Sequence, residues 1–132
     1  MDLNVSNCIE LRCYHTWMGK DGIVRTKVKP GSEVLLEDAI ENSNCVNGLT
    51  QDKFTLIVDA RGVKSITKEA REHFSVKGRS SRCLSIAIIV DSHLSRMIAN
   101  FYIGLTKPVL PVKLFNTEAN AVNWCKTWEV VK

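Results

Sequence analysis

From Cys8 to Trp17 the chain alternates, with Ile9, Leu11, Cys13, His15 and Trp17 on one side and Glu10, Arg12, Tyr14 and Thr16 on the other. A two-residue period is that of a half-buried strand. Met18-Gly19-Lys20-Asp21-Gly22 turns the chain, and Ile23 to Val28 reads as a second strand, so the short connection predicts an antiparallel hairpin. Lys29-Pro30-Gly31 breaks the pattern. Beyond it Leu35, Leu36, Ala39, Ile40 and Val46 recur near helical spacing, which predicts a helix over 35–46 with these residues on its buried face; Asn47-Gly48 ends it. Thr55 to Val58 is continuously apolar, as in a strand covered on both sheet faces, and Asp59 closes it.

Thr67 is placed to cap a further helix by accepting hydrogen bonds from the amides of Glu69 or Ala70, and that helix fades by Lys77-Gly78. Leu84 to Val90 is another doubly covered strand. Asp91 or Ser92 then caps a longer helix with the stripe Leu94, Ile98, Phe101 and Leu105, bounded by Gly104 and Pro108. Val112 to Phe115 is a last short strand. Thr117 caps a terminal helix whose Ala121, Trp124, Cys125 and Trp128 face inward. The order is β-β-α-β-α-β-α-β-α. After an opening hairpin, repeated strand-helix units imply right-handed crossovers, hence an α/β fold with a mixed, largely parallel sheet, an N-terminal antiparallel hairpin and about four helices.

Composition leaves that picture intact. At 132 residues, 45% hydrophobic and 24% charged, the chain suits one domain spanning 1–132 around a single core. Apolar runs such as Ile86 to Val90 fall far short of a membrane span and no charged leader precedes an apolar stretch, so a cytoplasmic protein is expected. Five scattered cysteines without a CxxC pair read as reduced thiols. Charge changes the picture more. Arg61 to Arg82 holds seven bases against two acids, while Glu33, Glu37, Asp38 and Glu41 lie in a stretch free of bases between Pro30 and Lys53. This polarity suits an acidic partner, a self-complementary contact, or solubility alone.

Candidate chemistry is sparse. Asp59 and Asp91 follow successive strands at the carboxyl edge, where open α/β sheets bind ligands. Without DxD, DxDxG or further carboxylates they read as loop and capping residues rather than as metal ligands. His15, His73 and His93 show no metal spacing, no serine lies in GxSxG, and no phosphate-cradling glycine motif occurs. His73, four residues after Glu69, predicts a helical ion pair or plain solvation. The basic segment has only Phe74 as an interleaved aromatic, which argues against nucleic acid. Phe101, Tyr102, Trp124 and Trp128 read as core; beside Met97 they would otherwise offer an apolar patch for self-association or a lipid-like ligand. No cofactor and no metal are expected, and the chain does not read as an enzyme.

The segment FTLIVDARGVKSITKEAREHF, from Phe54 to Phe74, resembles the centre of the STAS domain, the anti-sigma-factor-antagonist family. DARGVKSITKEAR, SIAIIV, SRMIANFYIGL and PVKLFNTEANAVNWC are similar to a group of bacterial STAS-like proteins of unassigned function. The resemblance implies that Asp59 is the strand-end Asp, that Val63 and Ile66 are the loop apolars, and that Thr67 stands where a capping Asp is usual. Lys68 and Glu69 then fall on the paired serines, with Glu69 at the phosphorylated position and Ala70 replacing the following Gly. A carboxylate carries part of the charge of a phosphoserine, and Ser65 and Thr67 stay open as acceptors. The resemblance thus implies a non-enzymatic interaction or regulatory module that docks a protein partner through Ser65 to Arg71 (Ser65, Thr67, Lys68, Glu69 and Arg71), with homodimerisation in view. A small apolar-ligand or lipid-binding module of CRAL/TRIO-like architecture is the alternative.

Overall fold

Phe54–Asp59 becomes the middle of a six-stranded sheet because it can bury both faces, and the rest of the chain is arranged around it. The structure, a computed structural model, describes residues 8–74, 82–106 and 111–128, with the backbone alone for Leu94 and 101–106. In chain order the elements are β1 (Ile9–Glu10), β2 (Tyr14–Met18), β3 (Val24–Val28), β4 (Glu33–Val34), α1 (Leu36–Gly48), β5 (Phe54–Asp59), β6 (Ser65–Ile66), α2 (Lys68–Glu72), β7 (Cys83–Ile89), α3 (His93–Thr106), β8 (Val112–Phe115) and α4 (Glu118–Lys126). The main sheet runs β1-β2-β3-β5-β7-β8. Its first three strands are antiparallel neighbours, and β3, β5, β7 and β8 are parallel. This is the mixed, largely parallel sheet that the order of elements predicts.

Alternation along the strands sorts the side chains into two layers. Ile57, Ala87 and Ile89 point to one face and pack on Ala121 and Cys125 of α4. Val24, Val28, Phe54, Ile86 and Ile88 pack on the other, against Ala39 and Val46 of α1, Ala70 of α2 and Ala99 of α3. Small residues on the helices let them lie close to the branched side chains of the sheet.

Four expectations need correction. The first strand does not run unbroken from Cys8 to Trp17: the Leu11 N–H donates to the Tyr14 carbonyl at 2.7 Å, and β1 folds back on β2 with Ile9 opposite Thr16. Both faces of β2 are covered, so Tyr14 and Thr16 are buried although alternation assigns them to the polar side.

The first helix also turns differently. Its buried face is Asp38, Ala39, Asn42, Ser43 and Val46, while Leu35, Leu36 and Ile40 are exposed. Polar partners from distant strands decide this. Arg12 Nε donates to Asp38 Oδ1 at 2.7 Å, and Asn42 reaches two threonines of the sheet.

Trp128 lies past the end of α4 and is 39% exposed rather than inward, set edge-on to Trp124 at 5.9 Å. His73 pairs its Nε2 with the Ser43 hydroxyl at 3.2 Å instead of with Glu69. In α3 Ile98 packs inward and Met97 is exposed; the side chains of Leu94, Phe101, Tyr102 and Leu105, and the helix end at Lys77-Gly78, lie outside the described residues.

Candidate functional site

The carboxyl ends of β3 and β5 and the loop into α2 form the candidate site. Asp59, the last residue of β5, stands opposite Lys27 of β3 in the parallel register. Its carboxylate is fully buried. Arg61 Nε donates to Oδ1 at 2.9 Å and Nη2 to Oδ2 at 2.7 Å, the Arg61 N–H donates to Oδ1 at 3.2 Å, and Lys27 Nζ lies 3.4 Å from Oδ2. Burial pushes this carboxyl up, but the hydrogen bonds from the Arg61 side chain and backbone and the charge of Lys27 outweigh it and hold it below its ordinary value. Asp59 is therefore an ionised anchor for the loop.

Gly62 makes the next turn possible. Its φ is +81°, and a Cβ there would press on Pro30 at 3.3 Å. The Gly31 N–H donates to the Gly62 carbonyl, and Lys64 and Ser65 donate to the Ser32 carbonyl. The two-residue ladder of β4 and β6 then pairs Glu33 with Ser65 and Val34 with Ile66. These bonds clamp the loop to the entry of α1.

Thr67 follows with an extended backbone (φ −63°, ψ 158°), and its hydroxyl accepts from the Ala70 N–H at 3.2 Å, the cap that the sequence predicts. Ser65, Lys68 and Glu69 are exposed and Thr67 is half-buried. Lys68 lies 3.9 Å from Glu72 across one turn. Arg71 turns back instead of outward: Nη1 donates to the Ile66 carbonyl at 2.5 Å and the side chain is half-buried. The helix start thus presents Ser65, Lys68 and Glu69, while Thr67 and Arg71 hold it together.

Asp91 shares no hydrogen-bond partner with Asp59 among the described residues, although its charge, like that of Asp59, acts on the Arg61 guanidinium. It is exposed at the start of α3, where Ser95 Oγ lies 3.3 Å from its Oδ1. Ser92 and Ser95 cap that helix reciprocally: the Ser95 N–H donates to Ser92 Oγ and the Ser92 N–H to Ser95 Oγ, both at 3.2 Å. Among the described residues no three His, Cys, Asp or Glu side chains gather as metal ligands.

Two features of the face under α1, α2 and α3 escape the sequence. Asn42 Nδ2 donates to Thr16 Oγ1 at 2.9 Å and to Thr26 Oγ1 at 2.7 Å, and the two hydroxyls are 2.9 Å apart, all three residues being buried. Beside this network lies a cavity of about 110 Å³. Its wall is mainly apolar, with Phe54, Leu56, Val58, Ile86, Ile88 and Ile98; Thr26, Asn42 and Ser43 contribute polar groups on the α1 side, and Arg71 and Phe74 face it from α2. Native cores keep few voids larger than a water molecule.

Together, the sheet order and the strand-acid-loop-capped-helix edge define a SpoIIAA-like, that is STAS-type, α/β fold. An uncharacterised protein of the DUF3478 family from Shewanella loihica PV-4, with a SpoIIAA-like fold, superposes with a TM-score of 0.60 over 95% of this chain and 98% of its own, at 14% identity. A protein with unknown function from Arthrobacter sp. FB24 shares 29% identity over 85% of this chain and 92% of its own, at a TM-score of 0.33. No curated protein matches the chain. The chain belongs to the family described as Domain of unknown function (DUF7793), whose model matches residues 16–129.

Proposed function

We propose that the chain, as one domain over 1–132, is a non-enzymatic regulatory module that docks a partner protein through the α2 start and its loop. The observation that carries this reading is the pinned helix start: Asp59, Arg61 and the β4-β6 ladder fix a loop that holds Ser65, Lys68 and Glu69 in solvent at an exposed helix N-terminus. Pre-organisation lowers the entropy that a partner must remove on binding. Glu69 supplies a carboxylate where the STAS pattern places a phosphorylated hydroxyl, and Ser65, in the same loop and helix start, offers a hydroxyl open to solvent.

The test is capture of a partner from native extract by the wild-type chain, followed by Lys68→Glu and Glu69→Lys. Each reversal is expected to weaken capture at least fivefold, and Lys68→Glu with Glu69→Lys together to fail. Arg71 is a poor choice for reversal because its guanidinium bonds the Ile66 carbonyl. Undiminished capture by both single variants removes this surface from the proposal. A homodimer is one form the partner can take. All five cysteines are free thiols, which fits action in the cytoplasm; no described helix is long and apolar enough to cross a membrane.

The second reading, a module for a small apolar ligand, is favoured by the cavity between the sheet and α1 to α3. The cavity lies between the sheet and the helices on one of its faces and is lined mainly by apolar side chains with a few polar groups, as small-ligand sites are.

A further inference from the structure

Helix α2 belongs to two surfaces at once. Lys68, Glu69 and Glu72 face solvent, Ala70 is fully buried, and Arg71 and Phe74 line the cavity together with Ile66. The helix has five residues, too few to be stable without tertiary contacts. On the far wall Ser95, Ile98 and Ala99 of α3 face the same space. A molecule there would bridge the helix that carries the docking residues to the sheet and to α3.

We infer that the cavity binds a small apolar molecule about the size of a benzene ring with one hydrogen-bonding group, and that its occupancy fixes α2 and so governs presentation of Ser65, Lys68 and Glu69. The regulatory half of the inference rests on the docking role proposed for the α2 start; the binding half does not. The volume sets the size: a cavity of 150 Å³ lined by aliphatic and aromatic side chains takes up benzene, and this one, at about 110 Å³, holds little beyond a single ring or a branched chain of similar bulk. The lining sets the chemistry. Apolar side chains from β5, β7 and α3 would surround most of the ligand, and Thr26, Asn42 and Ser43 lie where one polar group can be met. A wholly apolar cavity penalises a hydroxyl left without a partner, whereas this one can pair it. Ligand binding then favours whichever arrangement of α2 completes the wall, by the difference in affinity between the two arrangements.

The 132-residue chain, labelled with nitrogen-15, is titrated separately with benzene and with phenol and followed by amide resonances and amide hydrogen exchange. Saturable shifts are expected at Leu56, Val58, Ile86 and Ile88 and at Ile66, Ala70 and Arg71, with phenol binding at least threefold tighter than benzene and exchange at Ala70 and Arg71 slowed at least threefold at saturation. Ala99→Leu fills the space from α3 and abolishes the shifts. If Ala99→Leu fails to fold, competition between the two probes for the same resonances in the wild type serves in its place. No saturable shift with either probe overturns the site. Benzene binding as tightly as phenol overturns the polar contact, and saturation with exchange in α2 unchanged overturns the coupling. No partner enters the experiment, so its outcome is separate from that of the capture assay.

Discussion

Arg61 grips Asp59 with two parallel hydrogen bonds, Nε to Oδ1 at 2.9 Å and Nη2 to Oδ2 at 2.7 Å, across a loop in which only Ala60 separates them. The acid at the strand end is thereby committed to structure. Bidentate contact fixes direction as well as charge, so the path of the chain from β5 toward Gly62 follows from it.

Removing Arg61 therefore leaves a buried carboxylate with Lys27 as its remaining charged partner. Arg61→Ala is expected to cost about 2 to 4 kcal/mol, below the full penalty for breaking a buried pair because the Arg61 side chain is one-third exposed. Asp59→Asn keeps the shape and removes the charge, and should cost less, about 1 to 2 kcal/mol. Urea unfolding of both variants checks the order. A smaller loss for Arg61→Ala than for Asp59→Asn contradicts the anchoring role.

Acid should unfold the protein by releasing the same kind of contact at three places. The Arg12 guanidinium holds Asp38 below its usual range, the Arg25 guanidinium does so for Asp21, and for Asp59 the hydrogen bonds of Arg61 prevail over burial. Each folded value lies below the unfolded value of about 3.9. The stability these groups contribute is thus fully present above that pH and is lost as pH falls through the folded values. Thermal midpoints are expected to stay level from pH 7 to about 5 and to drop below about 4. Asp38→Asn should lower the plateau and shallow the acid limb; an unchanged limb would remove the Arg12 to Asp38 pair from this account.

Much of the sheet is readable in the chain because its strands announce themselves locally. Val112–Phe115 falls where the sequence predicts a short strand, β5 and β7 differ from the expected ranges by a residue or so at each end, and Thr67 and Thr117 cap the helices they precede. What the chain hides are decisions made between distant residues. Nothing near Asn42 says that it turns inward in place of Ile40; its partners are Thr16 and Thr26, 26 and 16 residues away. The break at Arg12-Cys13 is equally long-range, since Arg12 leaves the strand line to meet Asp38. At the edge, the exposed helix start is implied by the cap. The inward turn of Arg71 and the cavity beside it depend on how α2 and α3 pack, and no local pattern records that.

Asn42 gives the sharpest test of that hidden network. Asn42→Ala removes both donors to the threonines and opens a small void, with an expected loss of about 2 to 3 kcal/mol. Asn42→Asp keeps the size but offers no donor and places a charge beside buried hydroxyls, so it should be the worse of the two near pH 7. Denaturant midpoints at pH 7 and pH 4 separate them: protonation should restore part of the stability of Asn42→Asp and leave Asn42→Ala unaffected. Equal behaviour at the two pH values would place residue 42 in contact with solvent.

Thr67 carries the cap of a helix with little else to hold it. Its hydroxyl accepts from the Ala70 N–H, and Ala70 is the buried residue of α2. Thr67→Ala is expected to cost about 1 kcal/mol, and Thr67→Ser or Thr67→Asp to recover most of it, since each restores an oxygen acceptor in the same place. The loss should be local rather than global, because five residues can fray while the sheet stays intact. Hydrogen exchange reads the difference: Ala70 and Arg71 should exchange about fivefold faster in Thr67→Ala, the factor that about 1 kcal/mol implies, while amides in β5 and β7 hold their rates. Equal acceleration in helix and strands would mean that α2 unfolds only with the whole domain, and that its start is too firmly tied to respond to a partner or a ligand independently.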